Sequence, residues 1–273
     1  MFELLAADWN HWPDGLSRQE IAAAAAHSGV DGLELGVYDT RIELAPSRLE
    51  EWHNLDQKHG VPIRMLLYSM TAERWPEGGL GSETGRFRLL EQTEEILRIT
   101  AALGLDTVGV WAGADPPDAD RAAIARTVGD LATLAARAGI RIALEPKPGT
   151  ALSEPDDVTA LGDNVAHPDL IGVLLDTGHE FAAGRDPAEL AQQLGNRLFH
   201  IHLGDSDGDP DADLPPGRLH SLDTFFATLE AGGYEGAMTL DAYGAVAAGV
   251  ITGAEALDET VRLVSAFRAN HTD

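Results

Sequence analysis

The chain has 273 residues and a mass of 29.0 kDa, with 44% hydrophobic residues, enough for one large core; this length suits two average domains or one barrel of alternating strands and helices. Asp and Glu number 45 against 19 Lys and Arg, a formal charge of −26. So acidic a surface repels phosphate backbones and anionic lipid, which argues against nucleic-acid and membrane partners and disfavours highly anionic substrates. The chain has no cysteine, so disulfides, thiolate metal sites and Cys nucleophiles are excluded.

The opening segment MFELLAADWN has no basic stretch followed by a long apolar one, and no apolar run reaches the length of a membrane span. Both features lead to the expectation of a cytoplasmic protein.

Taken in order, the chain repeats one pattern. FELLAADW at 2–9 reads as a first strand. After it, an Ala-rich amphipathic stretch ends in glycine and a short apolar run follows, as in HSGVDGLELG at 27–36, KHGVPIRMLL at 58–67, ALGLDTVGVW at 102–111 and RAGIRIALE at 137–145. LIGVLLD at 170–176, RLFHIHL at 197–203 and AGGYEGAMTL at 231–240 complete eight strand candidates. Glycine just past a helix takes the left-handed cap conformation without steric cost, so each instance reads as helix, stop, strand. Ile124, Val128, Leu131 and Leu134 share one helical face, as do Leu257, Val261, Val264 and Phe267. The runs after the glycines are apolar on successive positions, which suits parallel strands covered on both faces.

Eight βα units in one chain, with no Pro/Gly/Ser-rich linker, predict a single (β/α)8 barrel domain over residues 1–273. The rival is a doubly wound open sheet, but no G-x-G-x-x-G follows the first strand. The loop GDSDGDPDADLPPGR at 204–218 reads either as an active-site lid or as a solvated acidic loop.

Barrel chemistry gathers at the carboxyl ends of the strands. Four consecutive strands end there in a ligating residue: Glu145, Asp176, His202 and Asp241. Three carboxylates and one imidazole suit Mn²⁺, Mg²⁺ or Co²⁺ better than a closed structural zinc site. Without a cation, three carboxylates at one mouth would repel one another. Singly, Asp176 could be a helix N-cap, His202 a satisfied core histidine and Asp241 a turn residue. Trp9, His11, Trp12 and Trp111 lie at the ends of predicted strands 1 and 4 and are candidate substrate-binding walls, since aromatic rings pack against apolar faces of a ligand.

The pieces VDGLELG at 30–36, LEP at 144–146, LLDTGH at 174–179, HIHLGD at 200–205 and PPGRL–GGYEGAMTLDAY at 215–243 together resemble the sugar phosphate isomerase/epimerase superfamily of xylose isomerase-like TIM barrels. That resemblance implies one bound divalent ion, Mn²⁺ first with Mg²⁺, Co²⁺ or Zn²⁺ as alternatives, held by Glu145, Asp176, His202 and Asp241. It implies a carbohydrate substrate touched by His179 and an assembly of identical chains. It also implies isomerase or epimerase chemistry through an enediolate, with Glu145, Asp241 and His179 catalytic. The sequence departs from the family pattern in two places. The acid after strand 8 is the shorter Asp241, and the arginine expected soon after the strand-7 histidine is replaced by Gly208, with Arg218 the nearest arginine beyond a longer loop. Lys147 stands where relatives carry histidine or a neutral residue; it reads as a substrate contact or acid/base, or as a solvent-facing lysine. The alternatives are a lyase on the same scaffold, either a dehydratase of the inosose or dehydroshikimate type or a C-glycoside-cleaving subunit, and a non-catalytic binding subunit with a degenerate site. An AP-endonuclease-like reading would need further histidine ligands on strands 2 and 3, and they are absent.

Overall fold

A computed structural model describes residues 2–270. Its eight strands are β1 (Glu3–Ala7), β2 (Gly32–Val37), β3 (Ile63–Ser69), β4 (Thr107–Trp111), β5 (Arg141–Glu145), β6 (Ile171–Asp176), β7 (Leu198–Leu203) and β8 (Ala237–Leu240). Each pairs in parallel with the next, and β8 closes on β1 through Glu3↔Ala237 and Leu5↔Thr239. The closed (β/α)8 barrel agrees with the pattern read from the sequence, and the open-sheet rival is set aside.

Local chemistry explains the segmentation. The helices Arg18–Ser28 and Arg121–Ala138 begin at side-chain caps from Ser17 and Asp120 and stop at Gly29 and Gly139, whose φ of 76° and 69° only glycine adopts freely. Ile124, Val128 and Leu131 are buried on the inner face of the second of these helices, with Leu134 partly buried beside them. β2, β6 and β7 are buried along their whole length, which is why they lack polar alternation.

The main apolar core lies between the barrel and its helices. Inside the barrel a smaller cluster of Ala7, Trp9, Leu67, Ala143, Leu174 and Phe199 shares the space with buried polar side chains from β2, β7 and β8. That polar content sits directly beneath the mouth formed by the strands' carboxyl ends. No helix among the described residues is long and apolar enough to cross a membrane.

Candidate metal centre

Four strand ends converge on one atom. His202 Nδ1 lies 3.4 Å from Glu145 Oε1, 3.7 Å from Asp241 Oδ2 and 4.0 Å from Asp176 Oδ2. His202 is fully buried and this nitrogen has no hydrogen-bond partner. A buried polar atom normally finds a partner, and an unmade bond there costs about 1–3 kcal/mol. An orphaned imidazole nitrogen ringed by three carboxylates fits a divalent cation. Ligating atoms of Asp176, His202 and Asp241 all lie within 4.8 Å of one another, as do those of Glu145, Asp176 and His179.

The segment Asp176–His179 shows how the backbone builds this arrangement. Asp176 ends β6 and caps the helix Thr177–Ala182: its Oδ1 accepts from the N–H of Gly178 at 2.7 Å and of His179 at 3.1 Å. The N-cap reading is thus met by Oδ1, while Oδ2 of the same carboxylate faces His202 Nδ1 at 4.0 Å. Thr177 Oγ1 donates to the Gly204 carbonyl at 2.7 Å and accepts from the Gly204 N–H at 3.0 Å, tying this turn to the one after β7. At Gly178 a Cβ would stand 3.2 Å from Asp176 Oδ1 and 3.3 Å from the Asp205 backbone, so a side chain there would have to push the two closely packed loops apart by a few tenths of an ångström. His179 Nδ1 donates to the Pro146 carbonyl at 3.2 Å, which puts its proton on that nitrogen and leaves Nε2 as an acceptor.

Asp241 follows β8 directly. Its Oδ1 accepts from Trp9 Nε1 at 3.1 Å and from the Tyr243 N–H at 3.3 Å. The Trp9 ring lies 5.7 Å from that of His202. Lys147 is partly buried; its Nζ pairs with Asp211 Oδ1 at 2.6 Å and lies 5.6 Å from the Trp111 ring centroid. Trp12 stands at the rim against Tyr38, with ring centroids 5.5 Å apart. His11 and Arg218 are held elsewhere: His11 Nδ1 packs against the backbone at Gly253, and the Arg218 guanidinium pairs with Glu259 at 3.2 Å.

Charge states follow from burial and proximity. Burial pushes the Asp176 carboxyl up to about 7, with the nearby Glu145 adding to it. Asp241 is pushed up to about 6 by burial and by Asp176 and Glu145, although His202 pulls the other way. Burial also works against ionised Glu145, but His202 and His179 outweigh it and hold its carboxyl below the usual range. His202 is raised well above an ordinary imidazole, because Glu34 and Glu145 overcome its burial. Burial lowers His179. For Lys147 burial is outweighed by the bond to Asp211, so its ammonium is stabilised. The cluster is therefore short of positive charge, and His202 takes up a proton where a cation could sit.

Three acids at or below the mouth had no role in the sequence reading. Asp213 comes from the loop after β7 with a φ of 38°; its Oδ2 accepts from the Gly244 N–H at 3.0 Å, and burial together with Asp241 and Asp176 pushes its carboxyl to about 7. Asp8 accepts from the Gly36 N–H at 2.9 Å. Glu34 lies beneath the centre, bonded to His200 and His202. The left-handed backbone at Asp213 has no signal in the sequence beyond the run of Asp residues. The 204–218 loop is bridged at Asp205–Leu214 and joined by Asp211 to the loop after β5 and by Asp213 to the short helix Tyr243–Ala247 after β8. A separate cavity of about 890 Å³ opens at the opposite end of the barrel, beside Glu3, Arg64 and Arg141, and is lined by none of Glu145, Asp176, His202 and Asp241.

Comparison with known proteins agrees with the architecture. An inosose dehydratase from Clostridium botulinum is 30% identical over 82 residues, which are 30% of this chain and 27% of that protein. The chain thus matches little more than a quarter of that relative's length. Among solved structures, the IOLI protein with a bound zinc atom superposes with a TM-score of 0.77 at 18% identity, covering 100% of both chains. A D-tagatose 3-epimerase-like protein gives a TM-score of 0.78 at 18% identity, covering 98% of this chain and 99% of the other. At such identities the superpositions speak for the fold alone. The family model for the xylose isomerase-like TIM barrel matches residues 22–264. This chain is a member of the xylose isomerase-like TIM barrel family.

Proposed function

We propose that the protein is a divalent-metal-dependent isomerase or epimerase of a small sugar or keto-polyol, with Glu145, Asp176, His202 and Asp241 as ligands and Mn²⁺ as the preferred ion. The observation that carries this reading is His202 Nδ1, buried, unpartnered and facing three carboxylates from three other strand ends. An oxygen-rich set with one imidazole suits Mn²⁺, Mg²⁺ or Co²⁺, and the zinc in the similar IOLI structure supports Zn²⁺ as an alternative.

A divalent ion in such a site polarises a substrate carbonyl and acidifies the neighbouring C–H. Glu145, held ionised, is the base for that proton. Asp241 is the second carboxylate; with Oδ1 engaged by Trp9 and Tyr243, only Oδ2 is left for ligation or proton return. His179 Nε2 accepts from a substrate hydroxyl. Lys147 offers a fixed ammonium at the rim, and Trp9, Trp12 and Trp111 supply apolar walls for sugar C–H faces. No step is assigned to His11 or Arg218.

The test is a proton-exchange screen of the metal-replete protein in D₂O against ketoses and inososes. The expected result is deuterium uptake beside the carbonyl without loss of water, abolished by metal removal and by Glu145→Gln. A second reading, dehydration, is favoured by the match to inosose dehydratase; formation of an enone absorbing in the ultraviolet would select it. Absence of any bindable divalent ion would leave a non-catalytic binding subunit instead.

A further inference from the structure

We infer that Glu34 is a positioning residue that sets the tautomer of His202 and so turns its Nδ1 lone pair towards the cation. The inference rests on the metal reading proposed above. Glu34 lies in β2 and His202 in β7, strands that are not neighbours, so their contact crosses the barrel interior. Both side chains are fully buried, and His202 Nε2 is 3.4 Å from Glu34 Oε1. An ionised carboxylate only accepts, so this contact is a hydrogen bond only when the proton is on Nε2. In the neutral ring that would receive a cation, the other nitrogen then carries the lone pair, and it is the orphaned Nδ1 at the centre of Glu145, Asp176 and Asp241. The opposite tautomer would set a lone pair against a carboxylate below and a proton against the cation above.

Glu34 is itself fixed. Its Oε2 accepts from the Thr239 hydroxyl on β8 and lies 2.9 Å from His200 Nε2, which is also 3.0 Å from Thr239 Oγ1. Glu34, His200 and His202 could in principle hold an ion themselves. Their facing atoms, however, are already bonded to one another and to Thr239, and among the fully buried nitrogens of the group His202 Nδ1 is the one without a hydrogen-bond partner. The layer is therefore closed below and open above, the usual arrangement in which a carboxylate orients a metal-binding histidine through its far nitrogen.

Glu34→Gln tests the assignment. The two donors at Oε2, Thr239 and His200, draw the amide oxygen to that side and leave the amide NH₂ facing His202 Nε2. The proton is then driven to Nδ1. The full-length variant should bind Zn²⁺ about 10–100-fold more weakly than wild type by calorimetry. ¹⁵N NMR should show the His202 proton on Nε2 in the Zn²⁺-loaded wild type and on Nδ1 in the metal-free variant at mildly alkaline pH. Thr239→Val disturbs the same layer without reversing the acceptor and should leave Zn²⁺ affinity within a few-fold. Unchanged Zn²⁺ affinity in Glu34→Gln would overturn the inference, as would equal weakening by Thr239→Val. If Glu34→Gln does not fold, the wild-type spectrum alone decides: a proton on His202 Nδ1 in the Zn²⁺-loaded protein overturns the assignment. A wild type that binds no Zn²⁺ at all would instead overturn the metal reading, and this one with it.

Discussion

Asp176 and His202 are register partners on β6 and β7, and Asp176 Oδ2 lies 4.0 Å from His202 Nδ1 while Oδ1 of the same carboxylate caps a helix. The division of labour between the two oxygens separates two variants. Asp176→Asn keeps an acceptor for the Gly178 N–H but loses the anionic ligand. Because burial and Glu145 push the Asp176 carboxyl up to about 7, its metal-free stability should match wild type near pH 4 and exceed it as pH rises towards 7, with divalent-ion affinity falling by more than the about 10–100-fold typical when a ligand loses a hydrogen-bond partner. Asp176→Ala should lose in addition about 0.5–2 kcal/mol of metal-free stability, the worth of an N-cap. Urea denaturation and calorimetry of both variants check this; equal metal-free stabilities would refute the capping role.

Gly178→Ala tests the close packing of the two loops. Its methyl would meet Asp176 Oδ1 at 3.2 Å and the Asp205 backbone at 3.3 Å. Backbone cannot yield as a flexible side-chain end can, so the expected cost is about 1–3 kcal/mol, together with weaker ion binding as Asp176 shifts. A variant as stable as wild type would show that the turn has more freedom than its contacts suggest.

Asp8 gives a pH dependence of known sign. Burial is the main cause that raises its carboxyl from 3.8 to about 7. Between those values the folded chain holds a proton that the unfolded chain has released, so this group's contribution to stability falls as pH rises from about 4 to about 7 and is level above. Asp8→Asn retains an acceptor for the Gly36 N–H and removes the titration. Relative to wild type, the variant should gain about 1–4 kcal/mol in unfolding free energy between pH 4 and pH 8. Parallel pH profiles for the two proteins would contradict the burial argument.

The Lys147–Asp211 pair joins the loop after β7 to the loop after β5. Asp211 is 78% exposed, so the pair contributes at most about 1 kcal/mol to global stability. Asp211→Asn should therefore leave Tm nearly unchanged while speeding amide hydrogen exchange across 206–214. Unchanged exchange in that loop would mean that the Asp205–Leu214 bridge and the Gly244–Asp213 bond hold it without the ion pair.

The barrel is legible in the sequence because glycine stops and apolar runs are local signals. Gly29 and Gly139 sit where the cap conformation requires them. Glu145, Asp176, His202 and Asp241 are visible as candidates because each ends a predicted strand, and barrel closure brings such ends together. What is not legible depends on geometry across the barrel. Glu34 and His202 stand 168 positions apart, and that they share one hydrogen bond follows from strand register and tilt rather than from either neighbourhood. Loop residues are opaque for a related reason. Arg218 lies near β7 in sequence yet pairs with Glu259 on the helix Gly253–Asn270, and Asp213 reaches the mouth through a left-handed turn that an Asp-rich run does not announce.

Crystals grown with Mn²⁺, with anomalous diffraction collected at the manganese edge, test the central claim most directly. The account predicts one strong peak bonded to Glu145, Asp176, Asp241 and His202 Nδ1, at distances of about 2.0–2.3 Å. A peak on Glu34 and His200 instead, or no peak at the mouth at saturating Mn²⁺, would contradict it.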